Sequence, residues 1–168
     1  MKTFREIHND IDNEWYKFKV ICCTINFVVK KNGRLVMGAG IAKWFCDKFD
    51  GLDEIWGERV SNGQKHLLVT RWDKGVYPRY LVAFPTKIHW QNKSSIELID
   101  SSLQQLRFIS DIMGWTRILL PRPGCNNGGL DWKSLIKPLC ELYLDDRFVI
   151  ISKTIEQIKK EKLLQGLK

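Results

Sequence analysis

The chain has 168 residues, a formal net charge of +8 and a sequence pI near 9.3. This length corresponds to one domain, residues 1–168, that can bury a core of its own. No apolar run approaches the length of a membrane span and the first residues are polar, so we expect neither a membrane protein nor a secreted one, but a cytoplasmic monomer.

Charge and cysteine content bear on the possible partners. The positive charge predicts attraction to phosphates, nucleic acid or anionic lipid, although a lysine-rich surface on an ordinary protein explains it equally well. The five cysteines are an odd number, form no Cys-x-x-Cys pair and have no histidines at zinc-ligand spacing. We therefore expect reduced thiols, no metal and no cofactor.

Five short, nearly continuous apolar segments predict strands. Such runs are typical of strands that are covered on both faces, as in a largely parallel sheet. The segments are residues 19–29, 66–72, 79–86, 116–121 and 147–152.

The clearest helix is predicted at residues 94–115. Its apolar residues recur every three or four positions, and Ser94 and Glu97 have the spacing of a capping box. This periodicity indicates one apolar face against the sheet.

Further helices are predicted between the other strands, at residues 40–49, 52–60 and 132–144. Asp131 is placed to cap the last of these, and Pro138 to bend or end it. A basic amphipathic helix is expected at about 153–168. Strands that alternate with helices predict a three-layer α/β/α sandwich around a mixed, mostly parallel sheet.

Two strand-to-helix loops are rich in glycine: "VMGAGIAKWF" at 36–45 and "RPGCNNGGLDW" at 122–132. Glycine lets backbone N–H groups converge on an anion at a helix N-terminus, so two such loops could hold a diphosphate. Ordinary tight turns are the alternative, particularly for the first loop. In the second, Gly128 and Gly129 are expected where the chain passes close to a ligand. Neither the GxGxxG dinucleotide fingerprint nor the Walker A lysine spacing is present.

Several motifs follow one another along the chain: "NDI", a strand ending in "TIN", then "GAGIA", "FPTKIHW" and "PGCNNGGLDW". This order, from about Asp10 to Ser152, resembles the macrodomain, an ADP-ribose-binding α/β/α fold. The last two motifs resemble the branch that contains DNA ADP-ribosyl glycohydrolase antitoxins and terminal ADP-ribose protein glycohydrolases. The resemblance implies an ADP-ribose site and a hydrolytic activity.

The resemblance also implies binding roles for individual residues. Asp10 would accept a hydrogen bond from the adenine amino group, with the Ile11 N–H beside it, because an ionised carboxylate only accepts. Asn26 would contact the distal ribose. Plainer roles remain open: a turn residue for Asp10, a bond to its own backbone for Asn26, a helix cap for Asp131. The two loops would enclose the diphosphate through Gly38, Ala39, Gly40 and Ile41 and through Gly124, Cys125, Asn126, Asn127, Gly128 and Gly129.

Lys87 is the candidate nucleophile, because the resemblance implies that a lysine at this position attacks the anomeric carbon of the distal ribose. An ordinary surface lysine is the alternative, since a lysine nucleophile must first lose its proton. His89 is a second catalytic candidate, as a proton shuttle, although such a histidine is more often structural. One departure is that Gly128 stands where the protein-directed enzymes carry an aspartate.

Three activities remain open from these residues. The first is an ADP-ribosyl glycohydrolase that removes ADP-ribose from nucleic acid or protein, and the basic charge suits a nucleic-acid substrate. The second is an ADP-ribose 1″-phosphate phosphatase, and the third is a non-catalytic reader of ADP-ribose. Nucleic-acid binding by a basic, aromatic surface is expected to add substrate affinity at most.

Overall fold

A six-stranded sheet lies at the centre of the computed structural model, which describes residues 2–153 and 155–167. Its strand order is β1-β6-β5-β2-β4-β3. All neighbouring strands are parallel except β3 and β4, which are antiparallel. The predicted mixed, mostly parallel sheet is confirmed. The strands are β1 Arg5–His8, β2 Val20–Ile25, β3 Leu68–Arg71, β4 Tyr80–Pro85, β5 Ile118–Pro121 and β6 Phe148–Ser152.

Helices cover both faces of this sheet. The helices are α1 Gly40–Lys48, α2 Leu52–Ser61, α3 Ile96–Met113, α4 Lys137–Tyr143 and α5 Ile155–Gly166. On one face, α1 and α2 contribute Phe45 and Trp56 to the core; on the other, α3 and α4 contribute Leu106 and Cys140. The predicted three-layer sandwich is confirmed.

The continuous apolar runs of the sequence follow from this sandwich. Along β2, Val20 and Cys22 enter one core cluster, while Ile21, Cys23 and Ile25 enter the other. Successive strand residues point to opposite faces, and both faces are covered here, so the strand is apolar at every position except Thr24.

The strand predictions need two corrections: one segment was predicted too long, and one strand was missed. The segment predicted at 19–29 leaves the sheet at Ile25, because Asn26 turns the chain, and Val29 then makes only an isolated bridge to Leu35. The edge strand β1 was not among the apolar segments. It mixes exposed with half-buried residues and pairs with β6 on one side, which leaves little apolar pattern.

Two helix predictions also differ from the structure. The residue that caps α3 is Ser95, whose hydroxyl accepts from the Leu98 N–H at 3.2 Å, so the capping prediction for Ser94 was wrong by one position. Asp131 does cap its helix, by accepting from the Ser134 N–H at 2.8 Å. The first turns, Trp132–Ile136, are π-helical, and Pro138 lies in the first turn of α4, where its missing N–H is harmless.

Helix α5 lies within the segment for which a basic helix was expected; Met1, Thr154 and Lys168 are outside the described residues. Among the described residues, no helix combines the length and apolarity needed to cross a membrane. The same residues contain no group of three or more His, Cys, Asp or Glu side chains arranged to hold a metal ion. The five cysteines are free thiols.

Candidate functional site

The candidate residues lie in a row along one edge of the sheet. Asp10 follows β1, Asn26 follows β2, Lys87 follows β4 and the loop at 122–131 follows β5. These strands are parallel, so their carboxyl ends share that edge. From β1 to β4 the row crosses four strand spacings, about 19 Å. An elongated ligand matches such a row better than a compact one.

At the middle of the row, the helices that follow two adjacent strands lie on opposite faces of the sheet. After β2 the chain passes to α1 on one face, and after β5 it passes to α4 on the other. β2 and β5 are paired at Val20–Ile118 and Ile21–Leu119, whereas β2 pairs with β4 along its whole length. Ligands of open α/β sheets bind in the crevice at such a point. The two glycine-rich loops flank it.

Asp10 begins a short turn at the β1 end of the row. Its carboxylate accepts from the Asp12 N–H at 2.9 Å and from Gln157 Nε2, on α5, at 3.3 Å. The predicted turn role of Asp10 is therefore present. Each carboxylate oxygen can still accept a further bond, and the residue is exposed. Ile11 packs against the core below.

Asn26 connects the end of β2 to the first glycine-rich loop. It is 9% exposed; its Oδ1 accepts from the Val28 N–H at 2.8 Å and its Nδ2 donates to the Val36 carbonyl at 3.0 Å. A buried amide that bonds two backbone groups sets the path of the chain between them. Asn26 thus positions the segment that leads into Gly38.

The first loop presents open backbone at the start of α1. Gly38, Ala39 and Gly40 are exposed, and Ala39 caps α1 without a side-chain hydrogen bond. The free N–H groups of a helix start are then available to an anion. Gly40 has φ +57°, and a β-carbon there would lie 3.0 Å from Asn127 Nδ2. The two loops therefore meet at Gly40 and Asn127.

The second loop is packed against the segment before α3. A β-carbon at Gly128 would lie 2.1 Å from Ser94 Oγ and 2.4 Å from the Gly124 carbonyl oxygen, and the Gly128 carbonyl accepts from the Ser94 N–H at 3.0 Å. Gly124 is similarly enclosed, by Ser94 and Ile99. Close packing of the chain on itself thus accounts for Gly128, where we had expected close approach to a ligand. It also explains why no aspartate fits at this position.

The rest of the second loop faces outwards. Asn126, Asn127 and Gly129 are exposed, and the Gly129 N–H donates to the Asn126 carbonyl. Burial raises the pKa of the Cys125 thiol to about 11, with opposing contributions from Arg122, which lowers it, and Asp131, which raises it. A thiol with a raised pKa stays protonated at neutral pH and is then a poor nucleophile.

Lys87 reaches from the end of β4 to the second loop. Its Nζ donates to the Asn127 carbonyl and to the Trp90 carbonyl, each at 3.3 Å. The side chain is half-buried. Asn127 thus touches the first loop through its side chain and Lys87 through its carbonyl. The amine lies beside the meeting point of the two loops.

His89 supports the turn that follows Lys87. Its Nδ1 accepts from the Gln91 N–H at 3.1 Å, and its ring stacks on that of Trp90 with centroids 5.4 Å apart. Only Nε2 is then left to exchange a proton with a ligand. A structural role for His89 is therefore present whether or not it also transfers protons.

Three residues that the sequence did not single out as site residues contribute to this edge. Ser94 is 7% exposed and lies under Gly128, and its hydroxyl has no hydrogen-bond partner among the described residues. Trp44 Nε1 donates to Asp12 Oδ1 at 2.8 Å and so ties α1 to the turn of Asp10. Trp90 is 48% exposed beside Lys87. Of the three, Trp90 had a signal in the sequence, since it lies in the same motif as Lys87.

A shallow furrow of about 380 Å³ lies elsewhere, beside β1 and β6. Phe18 and Arg117, which precede β2 and β5, line it, so it opens towards the amino ends of those strands. It carries none of the loops described above. The candidate residues at the carboxyl ends of the strands therefore indicate the site better than this furrow does.

Solved structures show which fold this is. The macrodomain of Mycobacterium tuberculosis DarG superimposes with a TM-score of 0.76 at 24% identity and covers 92% of this chain and 100% of its own. Thermosipho africanus DarTG in complex with ADP-ribose gives a TM-score of 0.79 at 21% identity, over 93% of this chain and 43% of its own. The chain has the macrodomain fold, as the order of its motifs predicted.

The sequence is also similar to proteins of known activity, although no family model matches it. A DNA ADP-ribosyl glycohydrolase of Thermus aquaticus is 33% identical over 100 residues, which are 58% of this chain and 28% of the relative. The chain thus spans less than a third of the length of that relative. For this chain, the activity of that relative is therefore a proposal.

Proposed function

We propose that the chain binds ADP-ribose along the carboxyl edge of its sheet and hydrolyses the bond that joins ADP-ribose to a nucleic-acid base. The observation that carries this proposal is the position of Lys87 Nζ, 3.3 Å from the Asn127 carbonyl, where the two glycine-rich loops meet. The DNA ADP-ribosyl glycohydrolase named above supports the choice of reaction.

The ligand would lie across the row of candidate residues. Asp10 accepts from the adenine amino group, and the Ile11 N–H lies beside it. The diphosphate lies over the crevice between β2 and β5, where Gly38, Ala39, Gly40 and Ile41 face the second loop. The distal ribose then reaches the segment held by Asn26 and comes next to Lys87. The second loop closes over the diphosphate and this ribose through Gly124, Cys125, Asn126, Asn127, Gly128 and Gly129.

The chemistry would proceed through the amine of Lys87. The neutral amine forms a bond to the anomeric carbon C1″ as the bond from C1″ to the base nitrogen breaks. The base leaves with the electron pair of that bond and takes up a proton, for which His89 Nε2 is the candidate donor. Water then releases ADP-ribose from the lysine, so the net reaction is a hydrolysis.

A nucleic-acid conjugate is preferred over a protein conjugate for two reasons. The net charge of +8 favours a polyanionic substrate. Gly128 is enclosed by Ser94 and Gly124, so the lysine and aspartate pair implied for the protein-directed enzymes has no room here. The lysine has to act without that carboxylate.

The first experiment compares the wild type with Lys87→Ala. By calorimetry both should bind ADP-ribose with micromolar affinity, well above AMP, because Lys87 lies at one end of the row. Only the wild type should release ADP-ribose from an ADP-ribosylated oligonucleotide. Lys19→Ala is the matched control, since Lys19 is exposed at the amino edge of the sheet.

The outcomes separate the candidate functions. Turnover that survives Lys87→Ala would exclude this lysine as the nucleophile. Phosphate release from ADP-ribose 1″-phosphate that is equal in both proteins would indicate the phosphatase. Binding by the wild type with every conjugate recovered intact would indicate a reader.

A further inference from the structure

The segment after Lys87 presents a large aromatic side chain to solvent. Trp90 is 48% exposed and Ile88 is 68% exposed, although both come directly after a buried strand. The Trp90 ring is supported by the His89 ring, at an interplanar angle of 28°. The Gln91 N–H in turn fixes His89 through Nδ1. The indole is therefore held in place while part of its surface stays open.

The position of Trp90 is tied to that of the candidate nucleophile. The Trp90 carbonyl oxygen lies 3.3 Å from Lys87 Nζ. Standard backbone dimensions then put the Trp90 Cα within about 6 Å of that nitrogen. A substrate whose anomeric carbon reaches Lys87 therefore lies beside the residue that carries this exposed indole.

The charge around Trp90 matches a polyanion. The segment 87–93 begins and ends with lysine and contains no carboxylate. A β-carbon at Gly129 would lie 3.6 Å from Lys93 Cε, so the Lys93 side chain runs along the second loop. In the sequence Trp90 lies between two lysines, and single-stranded nucleic acid is bound by aromatic rings that stack on bases together with positive groups that attract phosphates. Nothing in this segment repels a phosphate.

The direction from which the amine attacks determines which base can lie near Trp90. In a displacement at C1″, the leaving base departs from the face of the sugar opposite the attacking amine. The modified base therefore points away from Lys87. A base that stacks on Trp90 would therefore have to belong to a neighbouring nucleotide of the same strand.

We propose that Trp90 stacks on the nucleobase next to the ADP-ribosylated nucleotide of a single strand and thereby selects oligonucleotide conjugates. This inference rests on the proposed function for the site itself. Trp90 is a specificity-determining residue, and it takes no part in bond breaking. Duplex DNA does not fit, because its neighbouring bases are paired and stacked within the helix.

The experiment compares Trp90→Ala and Trp90→Phe with the wild type on three conjugates of ADP-ribose: a short single-stranded oligonucleotide, the matching mononucleoside and a peptide. Both binding and KM are measured. Phe108→Ala is the matched control, since Phe108 is an exposed aromatic residue on α3, 67% exposed. Affinity for free ADP-ribose reports whether the site is intact.

Trp90→Ala should weaken binding and raise KM for the oligonucleotide by about 5- to 150-fold, the range for losing one stacked base. The mononucleoside conjugate and free ADP-ribose should be unaffected, and Trp90→Phe should retain most of the oligonucleotide affinity. An equal loss on all three conjugates would mean a structural role and would overturn the inference, as would an unchanged oligonucleotide affinity. A loss confined to the peptide would assign Trp90 to a protein substrate instead.

The two proposals fail separately. If the wild type cleaves no conjugate, hydrolysis is refuted, but the binding comparison between oligonucleotide and mononucleoside still decides the role of Trp90. If the wild type binds the two equally, the stacking site is refuted even where hydrolysis is observed.

Discussion

Gly128 shows how a single position can look like a ligand contact and yet be required by packing. Its missing β-carbon leaves space that Ser94 Oγ and the Gly124 carbonyl already occupy. Gly129 next to it is different, because it has φ +71° and a β-carbon there would meet only the Lys93 side chain, at 3.6 Å. One glycine is needed for space and its neighbour for backbone conformation.

The two glycines therefore predict unequal effects. Gly128→Ala should lower the free energy of unfolding by about 3 kcal/mol, since backbone and a buried side chain must move. Gly129→Ala should cost about 1–2 kcal/mol, the strain of a left-handed residue. Urea denaturation of both variants measures the difference. Equal costs, or a larger cost at Gly129, would contradict this reading of the loop.

A second variant tests the cause. Combining Gly128→Ala with Ser94→Ala removes the closest contact, at 2.1 Å, but leaves the Gly124 carbonyl, at 2.4 Å. The double variant should recover only part of the lost stability. Full recovery would mean that Ser94 is the sole obstacle.

At this scale the sequence placed the candidate residues after the strands that carry them but did not show the contacts each one makes. Asn26 was placed at the end of β2, but its two backbone bonds depend on Val36, ten residues further on. The environment of Gly128 likewise depends on Ser94, which is distant in the chain. Spacing along a sequence carries no information about contacts of this kind.

Between elements, Glu6 on β1 forms a junction with the second loop and the start of α4. Its Oε2 accepts from Lys137 Nζ at 2.8 Å, and its Oε1 accepts from Trp132 Nε1 at 3.0 Å and lies 3.5 Å from Arg122 Nη2. Burial by itself would raise the pKa of this carboxyl. The partners, led by Lys137, outweigh burial and leave the pKa below its ordinary value of 4.5.

The junction predicts a defined dependence on pH. A carboxyl whose pKa is lowered by folding adds stability above its ordinary pKa and loses that contribution as the pH falls through the folded value. Glu6→Gln should therefore cost about 1–3 kcal/mol at pH 7, and the difference from the wild type should shrink below about pH 4.5. Denaturation of both proteins between pH 7 and pH 3 tests this. A difference that stays constant over that range would rule out an ionised Glu6 as the cause.

Elements were predictable where the pattern is strong and local. The buried strands and the 18-residue helix α3 were found because both faces of the sheet are dry and one face of the helix is apolar. The short edge strand β1 and the π-helical turn before Pro138 were not, since each depends on a neighbour rather than on its own residues.

For the whole molecule, the charge of +8 predicts how binding responds to salt. Each phosphate contacted in a single strand contributes about −0.7 to the slope of log K against log salt concentration. An ADP-ribosylated oligonucleotide should therefore show a steeper slope than free ADP-ribose, and Lys93→Ala should make the oligonucleotide slope shallower by about 0.7. Titrations between 50 and about 200 mM salt give both slopes. Parallel slopes for the two ligands would show that the strand makes no phosphate contacts.

The fold as a whole followed from alternating elements and from the order of motifs, and the solved structures confirm it. The arrangement of the candidate site could not be predicted in this way, because it depends on how the loops after β2, β4 and β5 meet in space. The meeting of Gly40 with Asn127, and of Asn127 with Lys87, brings together three parts of the chain that are far apart in sequence.

The sheet can be described as two halves, β1-β6-β5 and β2-β4-β3. They are joined by the short pairing of β2 with β5, at Val20–Ile118 and Ile21–Leu119. A ligand that contacts loops from both halves of the sheet would connect them across this short pairing. On ligand binding, amide hydrogen exchange should then slow in the loops and at those β2 and β5 amides that bond each other, while the β2 amides bonded to β4 change little. In this sheet, the shortest strand pairing and the place proposed for the ligand coincide.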